Sequence, residues 1–487
     1  MIFAHSDSLV RASLDIHGLG ESLPFELRLE LNGEQHKLQC QEIYRSLPGR
    51  RITLRAVLDS TTVVVKLYLG ISQKRYWLRE LSGLNILASS TLKTPRLLHY
   101  ASDAKSSLSY LVFEYISPIP SNMLPCPEQR VIALSGILAQ MHNEGIVQHD
   151  LHLNNFLVGD TGIYLIDGDA IKRHSQVSKT MALHNMAVLL AQVNNAGLAL
   201  TRLCLAEYQP LRESTLSIDA LIFHRQVENL RLKRLDKLLE KTQRNCTAYY
   251  STSDMTHFFV CARESYGTNL QIILADLDGW VERGERLKDG NTCTVSRVCV
   301  EGQFYVIKRY NIKSLRHKVS RFFRTTRARV SWLNSHTLDF YGIPTAQMHA
   351  LYEERKGFMR GRAFLIMQNL DGALLSEKKQ PLSSNIRKAA IMLFQKLFEA
   401  GLVHGDTKSN NFIVLNDAAS PPPAQTILAM IDLDAMVRFR PGLKIAGNEL
   451  FRKAFEKDLK RFLTNFDADP ELATELMGNV LSARYSR

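Results

Sequence analysis

Apolar and polar positions alternate in two separate stretches of the chain, and each stretch predicts a β-hairpin. In both, an alternating strand leads through a short polar turn into a second, more apolar strand, a pattern typical of paired strands. A lysine lies near the end of the second strand each time, Lys66 in one hairpin and Lys308 in the other. The predicted strands are residues 51–58 with 63–68, and residues 294–300 with 304–310.

The same order of elements follows each lysine. A helical pattern comes first, then a proline that opens an extended segment, then an apolar strand, and then a long amphipathic helix closed by a glycine. In order, these are 73–89, Pro95, 110–115 and 127–145 in the first copy, and 314–337, Pro344, 363–368 and 383–401 in the second. We interpret each copy as a small β-rich lobe followed by a helical lobe.

A polar loop follows each long helix and contains the candidate chemistry. Residues 148–158 and 403–414 each place an aspartate five residues before an asparagine, and each is followed by Asp-x-Asp after an apolar strand. Phosphoryl transfer needs a carboxylate that orients the attacking hydroxyl, and an amide and second carboxylate that hold the metal on the nucleotide phosphates. The recurrence of the complete string makes isolated turn or cap roles for these residues improbable.

The two loops lie 256 residues apart, which is too long a period for a solenoid and suggests two copies of a whole domain. We therefore predict an α+β fold of two tandem bilobal domains, residues 1–245 and 246–487. Residues 171–245 have a mostly helical pattern and are assigned to the first domain.

Each loop residue has a predicted role. Asp150 and Asp406 would accept or orient the proton of the attacked hydroxyl, and Lys408 would neutralise the transferring group. Hard oxygen ligands suit Mg²⁺. The predicted metal ligands are therefore Asn155, Asp167, Asn411 and Asp432. Asp169 and Asp434, two residues further along, are predicted to assist them.

The strand lysines are predicted to contact nucleotide phosphates, the alternative being solvent-facing lysines on edge strands. Glu80, on the helix after Lys66, would pair with that lysine, or else be an ordinary exposed glutamate. At the matching place in the second copy stands Ser331, and no carboxylate occurs between Glu301 and Asp339. Lys308 must therefore be held in another way. Neither copy has a full glycine-rich phosphate loop.

The net charge of the chain indicates which class of molecule it binds. The 487 residues carry a formal charge of +13, which indicates an anionic partner. Residues 308–329 hold nine lysines or arginines and no acid, and apolar residues at helical spacing predict either a basic amphipathic helix for anionic lipid or a packed helix with a solvated basic face. No signal peptide or run of about 18 apolar residues is found. The seven cysteines are expected to be reduced.

These residues resemble the lipopolysaccharide core kinase family, which phosphorylates heptose or 3-deoxy-manno-octulosonic acid. The resemblance rests on both catalytic loops and on the following segments: LPGRR (47–51), VVVKLY (63–68), VIKRYN (306–311), SRFFRTTRARVSWLN (320–334) and GIPT (342–345). It implies a protein-kinase-like fold, ATP and Mg²⁺, and a sugar hydroxyl of the lipid A–core oligosaccharide as acceptor at the cytoplasmic face of the inner membrane.

Three readings follow. The first is an ATP-dependent sugar kinase of the lipopolysaccharide inner core, cytoplasmic and peripheral at the inner membrane. The second is a pseudokinase-type scaffold, in which one or both domains bind nucleotide or glycolipid without turnover. The third is a protein or small-molecule kinase of the same fold, since a fold does not determine a substrate. A nucleic-acid partner is not expected, because no recognition motif occurs.

Overall fold

The structure is a computed structural model in which the chain divides into two compact units, residues 1–227 and 228–487. This division comes earlier in the chain than the predicted boundary at residue 245. The mixture of helices and sheets expected from the sequence is confirmed. The described residues are 25–31, 34–47, 50–103, 108–119, 126–193, 197–213, 217–311, 325–357, 359–416, 425–439, 449–466 and 470–478.

An antiparallel six-stranded sheet forms the first part of unit one, in the order β1-β2-β3-β4-β6-β5. The predicted hairpin is confirmed, and its turn places Asp59 and Ser60 at positive φ, as hairpin turns of two residues require. The strands β1 and β2 were not predicted. The bounds are β1 Phe25–Leu31, β2 Glu34–Leu47, β3 Arg51–Leu58, β4 Thr61–Leu69, β5 Leu97–Asp103 and β6 Leu108–Glu114.

Helices make up most of the rest of unit one, as the apolar periodicity predicted. They are α1 Gln73–Ala88, α2 Pro127–Asn143, α3 Lys179–Leu190, α4 Leu198–Leu211 and α5 Ala220–Lys241, the last of which crosses the unit boundary in sequence. Four short strands flank the catalytic loop: β7 Ile146–Gln148, β8 Phe156–Gly159, β9 Gly162–Leu165 and β10 Ile171–Arg173.

One face of the first sheet buries an apolar cluster of its own side chains, while the other packs on α1. Trp77 of α1 anchors this second contact and donates from its indole Nε1 to the Tyr110 carbonyl oxygen at 3.1 Å. Since α1 carries Glu80, this packing determines where the carboxylate lies relative to the strand lysine.

A seven-stranded antiparallel sheet opens unit two, in the order β11-β12-β16-β17-β15-β14-β13. The second predicted hairpin is confirmed as β14 and β15, whereas β11, β12 and β13 were not predicted. The bounds are β11 Tyr249–Ser253, β12 His257–Ala262, β13 Glu285–Gly290, β14 Cys293–Val300, β15 Gln303–Tyr310, β16 Met348–Lys356 and β17 Met359–Gln368.

Helices cover both faces of this sheet. On one face lie two short helices, α6 Thr268–Ala275 and α7 Leu277–Arg283; on the other lies α8 Arg327–Phe340. Trp332 of α8 is fully buried there and donates from Nε1 to the Thr242 carbonyl oxygen at 3.0 Å.

A separate apolar core in unit two joins the remaining helices and short strands, and it includes Leu235 of α5. Phe394, Phe412 and Phe462 stack edge to face at its centre. The elements are α9 Ser384–Ala400, α10 Glu449–Leu463, α11 Pro470–Leu476, β18 Ala373–Leu374, β19 Leu402–Val403, β20 Phe412–Leu415, β21 Ile427–Met430 and β22 Val437–Arg438.

The predicted continuous helix 314–337 is wrong. Thr326 is extended, with φ −65° and ψ 151°, and its side chain accepts a hydrogen bond from the Arg329 backbone N–H, so α8 begins only at Arg327. Most of the basic stretch, residues 312–324, lies outside the described residues. Within the described part of the chain, no helix is both long and apolar enough to cross a bilayer.

Candidate active site

Both strand lysines lie on inner strands and are buried. Lys66 on β4 pairs with Thr53 of β3 on one side and Leu111 of β6 on the other. Lys308 on β15 likewise has strand partners on both sides. The two lysines are 8% and 6% exposed. The alternative of a solvent-facing lysine on an edge strand therefore does not hold.

In unit one, Lys66 meets two of the predicted carboxylates. Its Nζ lies 2.5 Å from Glu80 Oε1 and 3.8 Å from Asp167 Oδ1, and it donates to the Ile166 carbonyl oxygen at 3.1 Å. The Gly168 N–H donates to the same Glu80 oxygen at 3.1 Å. Glu80 thus links helix, strand and the segment after Asp167, rather than being an exposed helix glutamate.

Two glycines let α1 approach this segment closely. A Cβ built on Gly83 would lie 1.8 Å from the Gly168 carbonyl oxygen, and one built on Gly168 would lie 2.6 Å from the Glu80 carbonyl oxygen. Any larger residue at Gly83 would have to move the helix away. The close approach is therefore a condition for the contact between Glu80 and Lys66.

Burial and Lys66 shift the pKa values of Glu80 and Asp167 in opposite directions. Burial raises the pKa of Glu80, and the nearby Lys66 only partly opposes it. Burial would also raise the pKa of Asp167, but Lys66, with help from Arg51, outweighs it, and the pKa is lowered. The lowered pKa favours the ionised carboxylate, which the predicted role of Asp167 as a metal ligand requires.

The unit-one catalytic loop is tied to Asp167 through Gln148. Its Oε1 accepts from the Asp150 N–H at 3.3 Å, and its Nε2 donates to the Asp167 carbonyl oxygen at 3.2 Å. The Asn155 side-chain amide donates to the Asp150 carbonyl oxygen at 3.1 Å. Asp150 itself is exposed, so its carboxylate is open to an incoming hydroxyl.

In unit two, Lys308 is held directly by Asp432. Its Nζ lies 2.5 Å from Asp432 Oδ1, and a second lysine, Lys288, lies 3.5 Å from Oδ2. Ser331, at the place of the helix carboxylate, instead bonds the Tyr310 hydroxyl at 3.0 Å. The first aspartate of the Asp-x-Asp segment therefore holds Lys308 in the absence of a helix carboxylate.

The charge state of this pair follows from its contacts. Burial would lower the pKa of Lys308, but Tyr310, Asp432 and Asp434 together raise it. Burial would raise the pKa of Asp432, and Lys308 lowers it instead. Both groups are therefore charged near neutral pH. Asp432 also adopts a left-handed backbone conformation, φ 60° and ψ 57°, which turns the chain sharply into the Asp434 segment.

The unit-two loop repeats the bonds of unit one with a different side chain. His404 accepts from the Asp406 N–H at Nδ1, 3.2 Å away, and its Nε2 donates to the Ile431 carbonyl oxygen at 3.0 Å. The Asn411 amide donates to the Asp406 carbonyl oxygen at 2.8 Å. His404 thus occupies the position of Gln148, although it bonds the carbonyl of the residue before Asp432, whereas Gln148 bonds the carbonyl of Asp167 itself.

Cations from two elements surround Asp406. Lys408 Nζ lies 3.8 Å from Asp406 Oδ1, and Arg461 Nη2 of α10 lies 2.7 Å from the same oxygen. The same helix fixes the loop backbone, because Asp458 accepts from the Gly405 N–H at 2.9 Å. Neither Arg461 nor Asp458 was predicted, since both lie far beyond the loop in sequence and belong to no local motif.

The second aspartate of each Asp-x-Asp is engaged elsewhere. Asp169 pairs with Arg79 of α1 at 2.8 Å, and Asp434 pairs with Arg327 of α8. These contacts hold the segments against their helices rather than leaving the carboxylates open.

The remaining oxygen donors fit Mg²⁺. In each loop, the residue before the predicted metal aspartate donates its backbone N–H to the asparagine carbonyl, which brings the backbone of Asn155 close to that of Asp167 and the backbone of Asn411 close to that of Asp432. Each asparagine uses its nitrogen in the loop bond, which leaves its amide oxygen for a cation. Mg²⁺ commonly takes one or two such protein ligands and fills its shell with waters and phosphates.

Comparison with known proteins identifies a family match for part of the chain. Residues 257–472 match the family model "Lipopolysaccharide kinase (Kdo/WaaP) family". This match confirms the family resemblance over these residues and does not extend to unit one. No curated protein matches the chain. A solved structure described as "WaaP in complex with acyl carrier protein" aligns over 42% of this chain and 88% of its own, with 17% identity and a TM-score of 0.28.

Proposed function

We propose, from the premise that residues 257–472 carry a lipopolysaccharide kinase (Kdo/WaaP) family domain, that the chain transfers the γ-phosphoryl group of ATP to a sugar hydroxyl of the lipopolysaccharide inner core. The observation that carries this proposal is the ion pair between Lys308 and Asp432 beside a loop in which Asn411 is bonded to Asp406. These are the parts that phosphoryl transfer requires.

We extend the proposal to both units, as two tandem protein-kinase-like domains. Its support is the repeated arrangement: in each sheet the lysine strand lies between its hairpin partner and the last long strand. In each loop, one side chain, Gln148 or His404, bonds the aspartate N–H and a carbonyl oxygen of the Asp-x-Asp segment or of the residue just before it.

The proposed step makes an O–P bond between the sugar hydroxyl and the γ-phosphorus and breaks the bond from that phosphorus to the bridging oxygen of ADP. Asp150 or Asp406 takes the hydroxyl proton. Lys66 and Lys308 bind the nucleotide phosphates, and Glu80 orients Lys66. Mg²⁺, when bound by Asn155 with Asp167 or by Asn411 with Asp432, neutralises charge on the phosphates.

Lys408 has a proposed role of its own in unit two. It lies beside Asp406 and is exposed, so it can turn towards the incoming phosphoryl group once nucleotide is present. Arg461 then still balances the charge of Asp406.

The acceptor and location follow from charge and family. A chain with a formal charge of +13 favours an anionic glycolipid acceptor, and the family acts on lipopolysaccharide. We therefore propose a cytoplasmic protein that binds peripherally to the inner membrane, where the core oligosaccharide is assembled.

The test is phosphoryl transfer by purified full-length protein with ATP, Mg²⁺ and core oligosaccharide. Asp150→Asn with Asp406→Asn should abolish the phosphorylated product, and each single variant reports the share of one unit. Asp160→Asn and Asp371→Asn, at exposed positions outside the site, are the matched controls and should retain activity. Product formation by the double variant would refute the residue assignment.

A second candidate function is a pseudokinase-type scaffold in which unit two binds nucleotide without turnover. One observation favours it: Ser331, at the place of the helix carboxylate, bonds the Tyr310 hydroxyl and offers no carboxylate to Lys308. Nucleotide that raises the unfolding temperature, without ATP consumption on any core acceptor, would support this reading. Product loss in Asp406→Asn alone would exclude it for unit two.

A further inference from the structure

Each site contains a second cation to which the sequence analysis assigned no role. In unit two this is Lys288 of β13, whose Nζ lies 3.5 Å from Asp432 Oδ2, while Lys308 holds the other oxygen at 2.5 Å. In unit one it is Arg51 at the start of β3, whose Nη1 lies 3.9 Å from Glu80 Oε2. Each cation belongs to the strands that precede the lysine strand.

Strand register places each pair of cations on one face of its sheet. Lys288 pairs with Val295 of β14, and Val295 pairs on its other side with Lys308. Directly paired residues project from the same face. Both lysines therefore reach Asp432 from one face of the sheet, on either side of Val295. Arg51 pairs with Tyr68, which lies two residues beyond Lys66 and so shares its face.

Charge balance differs between the sites. In unit one, Lys66 and Arg51 face two carboxylates, Glu80 and Asp167. In the described part of unit two, Lys288 and Lys308 share a single carboxylate, and the adjacent Asp434 is already paired with Arg327. The pair of lysines therefore retains an uncompensated positive charge, which a phosphate group can neutralise.

Because neither site has a glycine-rich loop, groups other than glycine backbone amides must contact the nucleotide phosphates. A glycine-rich loop binds phosphates through successive backbone N–H groups. The β13–β14 hairpin, in contrast, has a single glycine, Gly290 at the end of β13. A lysine is a compact charge on a flexible stem and binds phosphate without fixed geometry. Lys288 is 55% exposed at its side chain, so it can reach a ligand above Asp432.

We propose that Lys288 in unit two, and Arg51 in unit one, bind the nucleotide phosphates as a second cation beside the strand lysine. This inference rests on the proposed function. In unit two, Asp432 rather than a helix carboxylate positions Lys308 and Lys288 together.

The test measures ATP binding to the full-length chain by titration calorimetry in a Lys66→Met background, which weakens the unit-one site. Lys288→Met should weaken Mg²⁺–ATP binding about tenfold, the loss expected for one charged contact, and Lys288→Arg should restore most of it. Binding of adenosine, which lacks phosphates, should not change. Lys388→Met, at an exposed helix position, is the matched control. Arg51→Met in a Lys308→Met background tests unit one in the same way.

The outcomes separate this inference from the proposed function. If the parent binds ATP and Lys288→Met binds it equally well, the inference is overturned while the kinase proposal stands. Equal weakening for ATP and adenosine, together with a lower unfolding temperature, would assign Lys288 a structural role and would also overturn it. If the wild-type chain binds no ATP, both the inference and the proposed function fail.

Discussion

Replacing Gly83 by alanine should separate helix α1 from the segment that follows Asp167. The added Cβ would lie 1.8 Å from the Gly168 carbonyl oxygen, whereas real Cβ atoms keep at least 3.0 Å. The helix must therefore move away from the segment by the difference between these two distances. A shift of that size would break both the Lys66–Glu80 contact at 2.5 Å and the Gly168–Glu80 bond at 3.1 Å.

One stabilising and two destabilising contributions decide the size of the change in unfolding free energy. Alanine gains up to about 1 kcal/mol over glycine in a helix, while overpacking against rigid backbone costs roughly 1–3 kcal/mol. Loss of the buried bond to Glu80 adds roughly 1–3 kcal/mol, because the carboxylate stays buried. The free energy of unfolding should therefore fall by roughly 1–6 kcal/mol.

Urea unfolding followed by circular dichroism measures this change. Gly136→Ala is the matched control: it also lies inside a helix of unit one, but its nearest neighbours are flexible side-chain ends of Glu207 and Leu211 at 3.0 and 3.2 Å. We expect Gly136→Ala to be neutral or stabilising. If Gly83→Ala were as stable as Gly136→Ala, the close packing of α1 would be refuted.

Three further outcomes are expected. Glu80→Gln should lower product formation by a Lys308→Met chain, in which unit one must act alone, as a kinase assay would show. Burial lowers the pKa of His142 from 6.5 to about 4, so between these values the unfolded chain alone takes up the proton. Stability should fall by up to about 3 kcal/mol as the pH drops through this window, and His142→Gln should flatten this part of a pH series of unfolding curves. Asp458→Ala should reduce unit-two product formation in an Asp150→Asn chain, because it removes the acceptor of the Gly405 N–H.

Local patterns predicted the elements that carry the loops. Both hairpins and the helices before the loops follow from period-two and helical spacing within single elements. The strands β1, β2, β11, β12 and β13 were not predicted, and β13 shows no alternation of buried and exposed positions because five of its six residues are exposed.

Contacts between distant parts of the chain account for what else was missed. Lys288 meets Asp432, and Arg461 meets Asp406, although the members of each pair belong to elements that are well separated in the sequence. A sequence shows these residues only as ordinary charges, since their roles depend on sheet register and helix packing. Gln148 begins the predicted loop of unit one, but its correspondence to His404 emerged only from the hydrogen bonds.

The most direct measurement is mass spectrometry of the core oligosaccharide from cells with and without this protein. A kinase of the inner core predicts that one or more phosphate groups disappear when the protein is absent, and that they return with the wild-type chain but not with the Asp150→Asn, Asp406→Asn double variant. Identical spectra from both strains would contradict the proposed substrate.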